Sequence, residues 1–269
     1  MIRSLYTAAT GMEAQQLYMD TISNNLANVN TNSFKREKVQ FQDLMYQTLR
    51  EPGVRNVEGS LSPAGIEVGL GVKPGATERL FDQGSLTQTG YSMDTAIKGD
   101  GFYQIAMPDG SISYTRDGQF VPSNDGTLQT TDGFPVYPQL TIPSGASSIT
   151  IGADGQVTAT MPGQTNSTVL GKIELARFVN PSGLKAMGSN LYSTTDASGA
   201  PIVSDPGVDG MGTVLQGYTE ASNVQIVDEM VGMISAQRAY EIVSKAITVS
   251  DSMMQVTNAM KAEQNEQYT

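Results

Sequence analysis

The chain has 269 residues, a net charge of −11, 28 glycines and 12 prolines, and neither cysteine nor histidine. Without cysteine there is no disulfide framework and no thiolate metal site; without histidine the usual general base and the commonest transition-metal ligand are missing. The acidity sits in the middle, where residues 91–220 hold 5 basic against 12 acidic side chains, a surface that repels phosphate backbones and argues against nucleic acid as a partner.

No apolar run approaches the roughly 20 residues needed to span a bilayer, so no membrane insertion is expected. The opening ten residues lack the apolar core of a cleaved signal peptide. The spacing predicts one helix over residues 2–27, roughly 39 Å long at 1.5 Å per residue. Leu5, Met12, Met19 and Leu26 recur at intervals of seven, two turns apart, and form an apolar seam on one side. Ile2 and Ala9 take the companion heptad position, which turns polar at Gln16 and Ser23 and restricts the register. The asparagine-rich stretch 28–32 ends the helix, because Asn is a poor helix former and tolerates the left-handed conformation. The amides of Asn24, Asn25 and Asn28 serve either to cap their own chain or to bridge to another subunit.

Residues 34–90 form a connecting region. A mixed apolar segment gives way at Glu51-Pro52-Gly53 to recurring Gly and Pro, which predicts an extended or hairpin-like path. Lys35-Arg36-Glu37-Lys38 reads as a solvated edge. Residues 91–221 read as a β-rich antiparallel domain. Asp-Gly recurs at Asp100-Gly101, Asp109-Gly110, Asp117-Gly118, Asp125-Gly126 and Asp132-Gly133, every seven to nine residues. Such pairs suit two-residue hairpin turns with positive φ at both central positions, and regular turns of this kind predict a meander, sandwich or barrel. The run 148–159 continues the hairpins, and 169–179 reads as one further strand.

Helix returns from residue 222, with Ser222 or Asn223 as cap and Asp228 and Glu229 near the positive end of the dipole. Ile226, Met233, Tyr240, Ile247 and Met254 repeat the seven-residue seam. The pattern fades after Met260, and 261–269 read as a frayed polar tail. Each seam needs a partner, and the opposite terminus is the first available. The expected fold class is therefore α+β: long N- and C-terminal helices (1–33 and 222–269) paired in coiled-coil fashion, plus the β-rich central domain, joined by the extended region.

No catalytic, cofactor or metal-binding residue is assigned. The Asp-Gly pairs stand too far apart for a calcium loop. Gly99-Asp100-Gly101 lacks the third glycine and the following helix of a dinucleotide fingerprint. Asp117, Asp125 and Glu174 are arbitrary candidates for a hydrolytic carboxylate pair, which is a spatial feature. Met12, Met19, Met230, Met233, Met253, Met254 and Met260 gather in the terminal helices. Core filling accounts for them, and so does packing against several non-identical neighbours.

Ser23-Asn24-Asn25-Leu26-Ala27-Asn28-Val29-Asn30-Thr31-Asn32-Ser33-Phe34-Lys35 resembles the signature of the bacterial flagellar rod and hook proteins. Ala96-Ile97-Lys98-Gly99-Asp100-Gly101-Phe102 and Tyr114-Thr115-Arg116-Asp117-Gly118 resemble that family's middle. Gln216-Gly217-Tyr218-Thr219-Glu220-Ala221-Ser222-Asn223-Val224 and Gln237-Arg238-Ala239-Tyr240-Glu241 resemble its C-terminal block. The opening Met1-Ile2-Arg3-Ser4-Leu5 and Tyr46-Gln47-Thr48-Leu49-Arg50-Glu51-Pro52-Gly53 are most similar to the distal-rod branch, with a rod-type insert over 46–75.

The resemblance implies that the terminal helices line an inner tube, the β domain faces outward, and the chain polymerises into a drive shaft in the periplasm-spanning rod. It implies as partners further copies of the chain, proximal rod proteins, the hook protein, the surrounding peptidoglycan-level and outer-membrane rings, and the flagellar type III export apparatus, which requires no cleaved signal. It implies assembly contacts at Leu5, Met12, Met19, Asn24, Asn25, Leu26, Asn28, Ile226, Met233, Tyr240, Ile247 and Met254, and no cofactor. The competing readings are a proximal rod or hook subunit and, outside the family, a β-rich carbohydrate-binding or hydrolytic module.

Overall fold

The computed structural model describes residues 2–51, 64–163 and 167–266. They group into two compact units: Met1–Ala27, Glu37–Glu78 and Gln225–Thr269 in the first, Asn28–Arg36 and Arg79–Val224 in the second. With two helices and a β-rich centre, the chain is α+β.

In the first unit, helix α1 (Ile2–Ala27) occupies the predicted span. Strands β1 (Glu37–Asp43), β2 (Tyr46–Arg50), β3 (Ile66–Gly69) and β4 (Val72–Arg79) follow; β2 pairs antiparallel with β3, and β1 pairs with β4. Residues 52–63 of the expected insert lie outside the described residues. Helix α2 (Ile226–Glu266) has 41 residues and runs past Met260, so 261–266 are helical rather than a frayed tail. It also begins later than a cap at Ser222 or Asn223 requires. Asn223 is engaged elsewhere: its Oδ1 accepts from the Arg36 N–H at 2.7 Å, and its Nδ2 donates to the carbonyls of Leu80 at 2.9 Å and Asp82 at 3.1 Å.

The second unit contains β5 (Leu86–Gln88), β6 (Thr95–Lys98), β7 (Phe102–Ala106), β8 (Ile112–Thr115), β9 (Phe120–Pro122), β10 (Leu128–Thr130), β11 (Val136–Tyr137) and β12 (Ser148–Ile151). It continues with β13 (Gln156–Thr160), β14 (Ser167–Lys172), β15 (Leu175–Arg177), β16 (Lys185–Gly188), β17 (Leu191–Ser193), β18 (Ile202–Ser204), β19 (Thr213–Gln216) and β20 (Tyr218–Glu220). The largest sheet has the order β16-β17-β8-β7-β15-β18, with β11 also on β7, while β12-β13-β14 form a second sheet.

Strand β7 lies inside the large sheet and buries both faces. Tyr103 and Ile105 join a core with Phe120, Leu175 and Val214; Phe102 faces the other way, with Tyr114, Phe178 and Tyr192. That follows from the period of two in a strand. Edge-to-face rings reinforce both sides, Tyr103 on Phe120 at 5.1 Å and Phe102 on Phe178 at 5.7 Å, each such pair contributing about 0.5–1.5 kcal/mol beyond its buried area.

The expected single strand over 169–179 is instead β14 and β15, in different sheets. Ile173, fully buried between them, donates its N–H to the Gly155 carbonyl at 2.8 Å, which turns the chain from one sheet into the other.

The Asp-Gly turns are also of another type than expected. Gly110, Gly126, Gly133 and Gly155 donate to the carbonyls of Met107, Ser123, Thr130 and Gly152 at 2.9–3.0 Å, and have φ of 77–88°. The preceding aspartates do not have positive φ. Each loop is thus a type I turn closed by one left-handed glycine, a three-residue hairpin connection rather than a two-residue one. The carboxylates brace these loops: Asp109 Oδ1 accepts from the Ser111 hydroxyl at 2.6 Å and its N–H at 2.9 Å, which holds the Asp109 carboxyl below its ordinary value. Asp125 sits exposed in its turn, and Asp117 is partly buried, its Oδ2 accepting from Asn190 Nδ2 at 3.4 Å.

Three segments distant in sequence meet at a buried charge cluster. Glu220 Oε1 accepts from Lys35 Nζ at 2.6 Å and from the Gly84 N–H at 2.9 Å, and Oε2 accepts from Arg116 Nε at 2.9 Å. Lys35 Nζ also donates to the Asp82 carbonyl at 2.8 Å. The two flanking carbonyls of Gly99-Asp100-Gly101 take the other Arg116 nitrogens, at 2.8 and 3.3 Å. The solvated-edge reading of 35–38 is therefore corrected: Lys38 is exposed, but Lys35 is 0% exposed. Backbone bonds lace the same place, with the Ser33 N–H on the Glu220 carbonyl at 2.8 Å and the Leu80 N–H on the Arg36 carbonyl at 2.9 Å. Ser33, at φ 57°, is the left-handed residue that follows the asparagine stretch.

One buried carboxylate faces two buried cations. Burial, and then Arg116, pull the Lys35 amine down to about 8, with Glu220 opposing them. Burial pushes the Glu220 carboxyl up, but Arg116 and Lys35 outweigh it and hold the group ionised. Glu220→Gln leaves both cations without an anion and is expected to cost about 3–5 kcal/mol. Lys35→Met leaves Arg116 and Glu220 as a matched pair and is expected to cost less. Unfolded Lys35 keeps its proton to about 10.5 while the folded group releases it near 8, so stability from this group is complete above the unfolded value and lost as pH falls through 8. Urea unfolding of wild type and Lys35→Met between pH 7 and 10 should show wild type gaining on the variant as pH rises, towards a limit of about 3 kcal/mol. A constant difference across that range would refute the assignment.

Candidate assembly surface

Within the first unit α2 lies antiparallel to α1. A Cβ on Gly232 would stand 3.2 Å from Ile22 Cδ1 and 3.3 Å from the Tyr18 hydroxyl, and one on Gly11 would stand 3.9 Å from Val243 Cγ1. Small residues thus let the helices approach closely. Among the described residues the buried ones of the two helices are Ala14, Thr21, Ile22 and Asn25 on α1 and Glu229 and Ala236 on α2.

Leu5, Met12, Met19 and Leu26 are half-buried on α1. On α2, Met233, Ile247 and Met254 are half-buried, whereas Ile226 and Tyr240 are exposed. Of the asparagines, Asn24 is exposed. Asn28 makes a local turn, its Oδ1 accepting from the Thr31 hydroxyl at 3.1 Å. Asn25, 1% exposed, acts as a tether. Its Oδ1 accepts from the Glu37 N–H and its Nδ2 donates to the Glu37 carbonyl, both at 2.9 Å, so the side-chain amide pairs with the start of β1 as a second strand would. The same Nδ2 reaches Glu229 Oε2 on α2 at 3.2 Å. Asn25 therefore joins three elements of its own chain.

Most of the apolar surface of α2 stays open. Val227, Met230, Val231, Ile234, Ile242, Val249, Met253, Val256 and Met260 are all between 45% and 72% exposed. At 3.6 residues per turn they share one arc of about 140°, a stripe on the side away from Glu229, Gly232 and Ala236. The seven-residue seam does not include them, yet the signal is present in the sequence: from Ile226 to Ile234 all seven positions other than Asp228 and Glu229 are apolar or glycine, too many for a helix covered on one side. An open groove of about 1040 Å³ runs beside Tyr6 and Thr7 of α1, Val68 of β3 and Met254 of α2. No helix is long and apolar enough to cross a membrane among the described residues. The open stripe is helical and rich in large apolar side chains, which suits packing against a neighbour.

Comparison with known proteins agrees with this geometry. Residues 5–35 match the family described as flagella basal body rod protein, residues 96–159 the flagellar hook protein FlgE/F/G D1 domain, and residues 215–260 the C-terminal family of flagellar basal body rod FlgEFG proteins. The flagellar basal-body rod protein FlgG of Buchnera aphidicola subsp. Acyrthosiphon pisum is 50% identical over 255 residues, covering 95% of this chain and 98% of that one. FlgG of Borreliella burgdorferi is 48% identical, covering 97% and 99%. The flagellar hook-basal body complex protein FlhP of Bacillus subtilis is 31% identical, covering 97% and 100%. At that identity, over nearly the whole of each chain, the protein belongs to the flagellar basal-body rod protein family.

Proposed function

We propose that this chain is the subunit of the distal rod of the flagellar basal body and polymerises helically into a rigid shaft that transmits torque from motor to hook. It is a structural protein, not an enzyme. The observation that carries the reading is the apolar stripe left open along α2 on the side away from α1, because a helix with apolar residues on both sides belongs where neighbours cover both. Further copies of the same chain are the neighbours that a helical polymer supplies.

In this reading α1 and α2 form a coiled-coil-like pair. Gly11, Ala14, Tyr18, Thr21 and Asn25 alternate in steps of three and four, and so do Glu229, Gly232 and Ala236, which is the spacing of a knobs-into-holes seam. The pair (residues 1–33 and 222–269) lines the inner tube, and residues 91–221 face outward, with 34–90 between. The set Leu5, Met12, Met19, Leu26, Ile226, Met233, Tyr240, Ile247 and Met254 completes the contacts with neighbouring copies, with Asn24 and Asn28 at the helix end and Asn25 holding that end in place from within. The β2–β3 ribbon, with Tyr46, Leu49 and Ile66 exposed, wedges between neighbours and blocks the sliding that a flexible hook needs. The shaft joins proximal rod proteins to the hook protein inside the peptidoglycan-level and outer-membrane rings. The export apparatus delivers each subunit without a cleaved signal.

Val231 and Ile242 are 62% and 69% exposed in the subunit. Val231→Glu and Ile242→Glu should therefore change its unfolding free energy by less than about 0.5 kcal/mol. The same changes forfeit roughly 1.5–3 kcal/mol of burial at every copy in a polymer, so polymerisation should be lost. Urea melts and sedimentation of purified protein separate the two effects. Polymers at wild-type yield from either variant would overturn the reading.

A further inference from the structure

The chain has 14 methionines but no cysteine, tryptophan or histidine. A peroxide that meets it therefore finds thioethers as the only sulfur to oxidise. Exposure sorts those thioethers sharply. Met93 and Met211 are 8% and 6% exposed in the core of the second unit, whereas Met230, Met253 and Met260 on α2 are 51%, 56% and 56% exposed. Met253 and Met260 stand two turns apart and share one side of the helix. Met45, between β1 and β2, and Met187 on β16 are the remaining exposed methionines among the described residues.

We propose that Met230, Met253 and Met260 are an oxidative modification site through which peroxide removes the free subunit from assembly; this rests on the reading of α2 as the polymerisation surface. In the reaction the thioether sulfur attacks one peroxide oxygen, the S–O bond forms as the O–O bond breaks, and water leaves. The sulfur loses two electrons and the peroxide gains them. The product is a polar sulfoxide with a strong acceptor oxygen where an apolar side chain had stood. Buried against a neighbour's aliphatic surface, that oxygen lacks a donor, and its desolvation opposes the contact. Within a polymer the same sulfurs are covered and protected, so the modification acts before assembly and not after it. Unbranched methionine suits a surface that packs against several different neighbours, and the same sulfur makes that surface oxidisable. Two reductases, one for each sulfoxide epimer, reverse the change.

The test uses the full purified chain and hydrogen peroxide. Peptide mass mapping should find oxygen added at Met230, Met253 and Met260 at least about tenfold faster than at Met93 and Met211. Treated subunit should keep its circular dichroism but polymerise about tenfold less, and treatment with both sulfoxide reductases should restore it. A Met45→Leu/Met187→Leu variant should be as sensitive as wild type. In a Met230→Leu/Met253→Leu/Met260→Leu variant, peroxide should no longer change whatever extent of assembly that variant reaches. Oxidised wild type that polymerises normally, loss that the reductases do not reverse, or undiminished peroxide sensitivity in the triple variant would overturn the proposal. Failure of the untreated wild type to polymerise would instead overturn the assembly reading on which it rests.

Discussion

The second unit depends on one carboxylate. Among the described residues Glu220 is the sole anion in direct contact with Lys35 and Arg116, in a space where all three side chains are at most 3% exposed. Taking charges out of water costs several kcal/mol each, and their mutual attraction seldom does more than offset that. The cluster is therefore a poor source of stability and a strong source of specificity. Its partners sit on the segment that follows α1, on the turn before β5, on the Gly99–Gly101 loop and on the strand that precedes α2. The chain must satisfy all of them or leave a charge orphaned. That requirement explains the close backbone approaches around the cluster. A Cβ on Gly84 would lie 2.0 Å from the Ala221 carbonyl oxygen, so the residue that donates its N–H to Glu220 has no room for a side chain.

Legibility in the sequence followed the range of the interaction. The bounds of α1 come from a local pattern, an apolar period with an asparagine stop, and are found where expected. The glycines of the hairpin turns were equally local, although their turn type was not. A loop of three residues uses one left-handed position where a loop of two uses both, and Asp-Gly fits either. The burial of Lys35 was not legible, because the carboxylate that neutralises it lies 185 positions away. Seen only with its neighbours Arg36, Glu37 and Lys38, it has the composition of a surface edge. Asn223 misled in the same way: a residue suited to capping the next helix instead spends its amide on Arg36, Leu80 and Asp82.

The register on α2 failed to be unique for a different reason. A period of seven selects a side of a helix only if one side is apolar. Here Val227 with Ile234, Ile242 with Val249 and Val256, and Met253 with Met260 are also spaced by seven. The side nearest α1 is marked by small residues and one buried acid, Glu229, Gly232 and Ala236, which a search for large apolar side chains passes over. The residues that a hydrophobic count ranks highest are those left exposed.

That division has an energetic consequence for assembly. Contacts made through glycine and alanine bring two helices close but remove little apolar area from water, while each large aliphatic side chain covered contributes roughly 1.5–3 kcal/mol. The subunit therefore holds its own helices together with Ile22, Asn25, Glu229 and a few small residues, and keeps a whole stripe of large apolar side chains on α2 uncovered. Their burial free energy is realised only when neighbours arrive. A subunit built this way has a strong drive to polymerise and a weak drive to close on itself, since the surface that would stabilise a closed monomer has been placed where α1 does not reach.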